Sequence, residues 1–233
     1  MKTIAIIPAR GGSKGIPRKN VKELCGKPLI SYIIKTALNV KEIDRVIVST
    51  ENAEIAEVAK KYGAEVPFIR PEELARDETP TLPVLQHTIN NLEKNDNYQS
   101  DLVVLLYATS PLLSKERISE GIKILKEGGF DSVISVVEDR GHYWIQKESN
   151  YKRLYPKLLE NRQLTKPLFR ENGAIYICKR DLIVKENAIV GGKIGFLVMK
   201  EKESVDIDEP LDFEIAEFLM KECNPTNNLF LEC

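Results

Sequence analysis

With 233 residues the chain can bury one full core, and a second complete domain is not expected. Its 34 Lys+Arg offset 35 Asp+Glu, so no overall field gathers nucleic acid or an anionic membrane, and any polyanion site must be local. The opening apolar run stops at Pro8 without a small-residue cleavage signature, and no stretch is long enough to span a bilayer.

Thr3 to Pro8 is a short continuous apolar run, the pattern of a strand buried on both faces of a parallel sheet. Pro28 to Val40 places Leu29, Ile33, Ile34 and Ala37 at helical spacing. Arg45 to Ser49 reads as a second buried strand, and Asn52 as the N-cap of a helix reaching Tyr62. A short strand is expected over Val66 to Ile69, then a helix to about Lys94 with Thr79 and Pro80 as its cap and first-turn pair. Asp101 to Tyr107 is the most hydrophobic strand, Ser114 caps the next helix, and Asp131 to Glu138 ends the alternation. Such β-α alternation argues for a layered α/β sheet with right-handed crossovers.

From Asp139 to Glu171 the text turns polar and aromatic, the one compositional break, and long irregular inserts are usually lids, binding arms or subunit contacts. Strands resume with Gly173 to Cys178 and Ile194 to Met199, and an amphipathic helix runs from Pro210 to about Cys223. The reading is thus a single domain over 1–223, with 139–171 an inserted arm or lid and 224–233 a frayed tail.

The strongest chemical signal is IPARGGSKGIPRKN, Ile7 to Asn20, between the first strand and the first helix. Ligands of open parallel sheets collect beyond the carboxyl ends of the strands. Gly11, Gly12 and Gly15 let backbone amides approach a phosphate, while Arg10, Lys14, Arg18 and Lys19 supply charge for several phosphates at once. The string is neither a Walker A loop nor GxGxxG, which weighs against a P-loop ATPase and a dinucleotide enzyme. Near the other end, VDID sets Asp206 and Asp208 on one side of an extended segment. Two hard oxygen ligands suit Mg²⁺, although DxD strings are common and Asp208 or Asp212 could simply favour a helix N-terminus.

The opening IPARGGSKGIPRKN followed by GKPLI resembles that of the acylneuraminate cytidylyltransferases, the CMP-sialic acid synthetase family. RPEELARDET, ATSPL, DSVISV, NGAIYI and SVDIDEPLD are similar to that family's further blocks, in the same order, to about Cys223. The resemblance implies a nucleotide-diphospho-sugar transferase-like, Rossmann-like α/β sheet with an inserted dimerisation arm. It implies CTP and a sialic-acid-like nonulosonic acid as substrates, Mg²⁺ held by Asp206 and Asp208, and a homodimer through 139–171. By position, Arg10, Lys14, Lys19 and Asn20 would hold the triphosphate, Lys19 stabilising charge on the α-phosphate and on departing pyrophosphate. Arg70 and Thr81 would surround the cytidine. The acceptor would lie near Tyr107, Thr109, Ser110, Arg162, Gln163 and Asn172, with Arg162 facing its carboxylate. The chain departs from the family at LYATSP, where sialic acid members often read LQPTSP, which widens the acceptor to bacterial nonulosonic acids.

Competing readings are a cytidylyltransferase for an eight-carbon keto-deoxy sugar, a sugar-1-phosphate pyrophosphorylase, a DxD glycosyltransferase and a nucleotide sensor without turnover. The glycosyltransferase is disfavoured because it gives the cationic loop no task. His87 lies in an expected helix and takes no role. His142, Tyr143 and Trp144 could cover a sugar or pack a dimer. Cys25, Cys178, Cys223 and Cys233 form no CxxC pair and have no neighbouring histidine, which supports neither zinc nor disulfides and points to the cytoplasm.

Overall fold

The computed structural model describes residues 1–222; Cys223 and the expected tail at 224–233 lie outside the described residues. The chain opens with β1 (Thr3–Pro8), the short pair β2 (Glu23–Leu24) and β3 (Lys27–Pro28), α1 (Leu29–Leu38), β4 (Arg45–Ser49) and α2 (Ala53–Lys61). Next come α3 (Thr81–Asn95), β5 (Leu102–Leu106), α4 (Lys115–Gly128) and β6 (Ser132–Asp139). The remainder is β7 (Tyr143–Lys147), β8 (Asn150–Tyr155), β9 (Leu168–Lys179), α5 (Arg180–Val184), β10 (Ile194–Val198) and α6 (Pro210–Glu222).

Six strands form the central sheet in the order β10-β6-β9-β5-β1-β4. β1 runs parallel to β4 and β5, and β10 to β6, whereas β9 is antiparallel to both its neighbours. The sheet is therefore mixed rather than wholly parallel. Strand alternation divides the apolar runs between two cores. Ala5, Ile7, Leu102, Val104 and Leu106 face α1, α2 and α4, while Ile4, Ile6, Val103 and Leu105 face α3 and α5. A third cluster joins Ile16, Leu24 and Leu29 to Ile207, Phe213 and Ala216, and so ties the loop after β1 to the segment before α6.

Helix starts follow the caps in the sequence. Asn52 accepts from the Ile55 amide at 3.1 Å and Ser114 from that of Arg117 at 3.4 Å, and α4 ends at Gly129 in the left-handed region, φ 61°. Three expectations are corrected. Val66 to Ile69 is not a strand: Glu65 alone bridges to β4, through Val46 and Val48, and Pro67 next along has no N–H to extend the ladder. Thr79 does not cap α3, because its hydroxyl donates to the Glu73 carbonyl at 3.0 Å and Pro80 holds the cap position. The insert is less irregular than its composition suggests: β7 and β8 form a hairpin, and β9 begins at Leu168, where 168–171 pair with Val136–Asp139 of β6. Trp144, in this hairpin, lies under the Arg153 guanidinium, 4.5 Å from its ring centre. The short helix α5 has no strong periodic signal in the sequence. No helix among the described residues is long and apolar enough to cross a membrane.

Ile177, in the later part of β9, has no exposed surface and belongs to the larger core. Ile177→Ala should lower unfolding free energy by about 2–5 kcal/mol. Leu211→Ala, at a residue 63% exposed on α6, should change it little. Urea denaturation of both variants checks the contrast.

Candidate active site

The loop after β1, the stretch from Arg70 into α3, the end of β5 and the segment before α6 converge on one cleft of about 470 Å³. Its walls include Arg10, Lys14, Lys19, Asn20, Arg70, Thr81, Tyr107, Thr109 and Asp208. The cleft thus opens at the carboxyl ends of parallel strands, where backbone amides and loop side chains point outward. A larger surface depression, about 580 Å³, lies along α4 between Lys123, Lys126, Glu127 and Glu42 and contains none of these residues.

The loop reaches the late segment by backbone and side chain. Lys19, with its side chain 13% exposed, donates to the Ile207 carbonyl at 2.6 Å and pairs with Asp208 at 3.0 Å. Gly15 runs so close that a Cβ there would lie 2.4 Å from the Asp208 carbonyl oxygen, which only glycine permits. Alternation in VDID does the rest. Ile207 is buried against Ile16, its amide donates to the Thr109 carbonyl at 2.9 Å, and the flanking aspartates remain exposed. Asp212, not Asp208, serves the start of α6, accepting from the Asp208 and Glu209 amides at 3.0 and 2.8 Å.

Asp206 is reached by solvent but surrounded by protein on its other sides. That burial raises its carboxyl above the usual range, a hydrogen bond from Thr109 opposes the rise, and Asp208 adds to it. Tyr107 is also raised by burial and shares a 3.0 Å hydrogen bond with the Thr81 hydroxyl. Its ring meets Tyr176 edge-on at 6.5 Å. Asn20 is buried and donates to the Arg10 carbonyl at 2.9 Å, so it shapes the loop from within.

Other expected residues are placed differently. Ser110 is buried, and its hydroxyl meets no hydrogen-bond partner among the described residues. Asn172 is buried, with its amide engaged by Ser135 at 2.6 Å and Ser204 at 2.7 Å, an arrangement that links β6 and β9 to the segment leading to Asp206. Arg162 and Gln163 are exposed on the insert and do not line the cleft; Arg162 lies within electrostatic reach of Asp139 and Tyr143. His87 stands edge-on to Phe68 at 4.8 Å and does not line the cleft either.

Two carboxylates escaped the sequence reading. Glu51, just past β4, pairs with buried Arg70 at 2.8 Å and accepts from the Gly11 amide at 2.6 Å. Asp77 pairs with both Arg10 and Lys14. Glu51 could have been found from its place at the carboxyl end of a buried strand, and Asp77 lies inside the RPEELARDET block. The Gly11 amide is consequently committed to Glu51.

Asp206 and Asp208 are the two aspartates the sequence offers to a divalent ion: Asp208 lines the cleft with Glu209, paired with Lys19, and Asp206 stands beside it, hydrogen-bonded to Thr109. No cluster of three His, Cys, Asp or Glu side chains among the described residues could hold one by itself. Two exposed carboxylates at a cation-lined cleft match the habit of Mg²⁺, which takes one or two carboxylates and fills its shell from phosphate and water.

A sequence model of the family described as Cytidylyltransferase matches residues 4–231. The CMP-N,N'-diacetyllegionaminic acid synthase of Legionella pneumophila is 34% identical over 227 residues, 95% of this chain and 97% of that one. N-acylneuraminate cytidylyltransferase A of Danio rerio is 35% identical over 219 residues, 91% of this chain but 49% of that protein, of which the chain spans about half. Among solved structures, that of CMP:2-keto-3-deoxy-manno-octonic acid synthetase complexed with CTP matches with a TM-score of 0.71 at 15% identity. The match covers 95% of this chain and 99% of that one, and it supports the nucleotide-diphospho-sugar transferase-like fold.

Gly15→Ala should separate the loop from the late segment, costing about 1–3 kcal/mol of stability. It should also weaken binding of inorganic tripolyphosphate, read by calorimetric titration. Gly12→Ala, where a Cβ would meet nothing within 4 Å, should leave stability close to that of the parent chain.

Proposed function

The chain belongs to the cytidylyltransferase family, and we propose that it transfers CMP from CTP to the anomeric hydroxyl of a sialic-acid-like nonulosonic acid, releasing pyrophosphate. The observation that supports this reading is the contact of Lys19 and Gly15 with the Asp208 segment, by which the cationic loop and Asp208 share one cleft.

In the proposed reaction the acceptor oxygen bonds to the α-phosphorus, the bond to the oxygen bridging to the β-phosphate breaks as pyrophosphate leaves, and the hydroxyl proton passes to a carboxylate of Asp206 or Asp208 or to water. Arg10 and Lys14 bind the outer phosphates. Lys19, held by the Ile207 carbonyl, neutralises charge that grows on the α-phosphate and the departing pyrophosphate. Arg70, fixed by Glu51, and Thr81 flank the cytidine, and Thr109 and Tyr107 line the acceptor side. Asp206 and Asp208 would hold Mg²⁺, which when bound supplies further charge neutralisation to the phosphates. The near-equal identities to an N-acylneuraminate and a legionaminic acid enzyme select neither sugar. Tyr107 and Ala108, which set this chain apart, stand in the cleft wall.

The same reading makes the enzyme a homodimer joined through 139–171. Supporting it, Trp144, Leu154, Leu158, Leu159 and Leu164 of the insert are 55–78% exposed, a large apolar surface for one arm. Arg162 and Gln163, away from their own cleft, would then serve the acceptor from the other subunit. A cytoplasmic location fits the free Cys25 and the buried free Cys178.

Pyrophosphate release from CTP and Mg²⁺ should appear with N-acetylneuraminate or N,N'-diacetyllegionaminate and be much weaker with 2-keto-3-deoxy-manno-octonate. Equal rates across the three acceptors, or none with any, would remove the assignment. Lys19→Ala should reduce kcat by about 10²–10³-fold.

A further inference from the structure

Of the carboxylates facing the cleft, Asp77 is bound in the way least suited to a structural role. Its Oδ1 accepts from Arg10 and its Oδ2 from Lys14 at 2.5 Å. The hydrogen bond from Lys14, with that from Arg10, keeps its carboxyl below the ordinary range. Glu51 offers the contrast: the Arg70–Glu51 pair has side chains only 3% and 18% exposed. In the Asp77 pairs Lys14 is 80%, Arg10 34% and Asp77 35% exposed, so solvent screens them and they exchange readily.

The segment that carries Asp77 is also built to move. Between Arg70, which is buried, and α3, no residue from Pro71 to Pro80 is buried. Short local turns hold it, from the Leu74 amide to Pro71, Ala75 to Glu72 and Thr79 to Arg76. A carboxylate that spans two cations through separate oxygens offers them two anionic acceptors, as a phosphate group does.

We propose that Asp77 is an internal stand-in for phosphate, occupying the Arg10–Lys14 seat until the outer phosphates of a nucleoside triphosphate, or pyrophosphate, displace it. The inference rests on the triphosphate reading of the loop. It makes Asp77 a selectivity residue: ligands with two or more linked phosphates compete for the seat, whereas a nucleoside monophosphate leaves it to Asp77. After pyrophosphate departs, the carboxylate returns and opposes rebinding.

Calorimetric titration of the full chain with inorganic tripolyphosphate, CTP and CMP in magnesium buffer tests this. Asp77→Asn should bind tripolyphosphate and CTP about three- to tenfold more tightly, in keeping with the loss of two exposed pairs, with CMP within about twofold. Glu78→Gln makes the same charge change outside the cleft lining and should alter none of the three. Weaker tripolyphosphate binding by Asp77→Asn would mean that the carboxylate aligns Arg10 and Lys14 instead. An equal gain with CMP, the same gain in Glu78→Gln, or no tripolyphosphate binding by either protein would also overturn the stand-in. If Asp77→Asn shows the selective gain but no acceptor yields pyrophosphate, the stand-in stands and the transferase reading falls.

Discussion

Cations crowded into one cleft repel each other, and the structure depends on how that repulsion is relieved before any ligand arrives. Arg10 and Lys14 share Asp77 as partner, Arg70 has Glu51, and Lys19 has Asp208 and the Ile207 carbonyl. These partners differ in exposure, and exposure decides their roles. The buried Arg70–Glu51 pair also fastens the Gly11 amide, so breaking it would leave a charge without hydration. The pairs at Asp77 lie in water and are replaceable.

Beneath the charges, the apolar chain does the joining. Ile16 and Ile207 are 191 positions apart yet share one small cluster. Burying both brings the loop after β1 against the segment before α6, and alternation then turns Asp206 and Asp208 outward. The antiparallel strand β9 contributes from a third direction. Because it runs against β5 and β6, its early residues lie at the same end of the sheet as the carboxyl ends of those strands. Asn172 can therefore tie Ser135 to Ser204, and Gly173, at φ 72°, passes beside the Asp206 carboxylate.

Much of this was legible in residues that act locally. The first strand, Arg45–Ser49, and the caps Asn52 and Ser114 stand where period and capping chemistry put them. Arg10, Lys14, Lys19, Asn20, Arg70, Thr81, Tyr107 and Thr109, all singled out in the sequence, share the cleft. What escaped depends on partners far along the chain. Glu51 and Asp77 look like ordinary surface acids until Arg70, Arg10 and Lys14 meet them. The strand beyond Val66 failed for a nearer reason, since Pro67 cannot continue a ladder. The hairpin in the insert eluded periodicity because most of its side chains are exposed on both faces, leaving no alternation to read.

By itself the sequence determined most strands and helices outside the insert, and that a glycine-spaced cationic loop follows the first strand, because hydrophobic period, caps and glycine act over a few residues. The tertiary structure decided which charges face each other, that Asn172 is engaged within the protein, and that Arg162 and Gln163 stand apart from the cleft of their own chain. Those outcomes follow from the strand order and from the burial of Ile207 against Ile16, contacts between distant positions that no local pattern encodes.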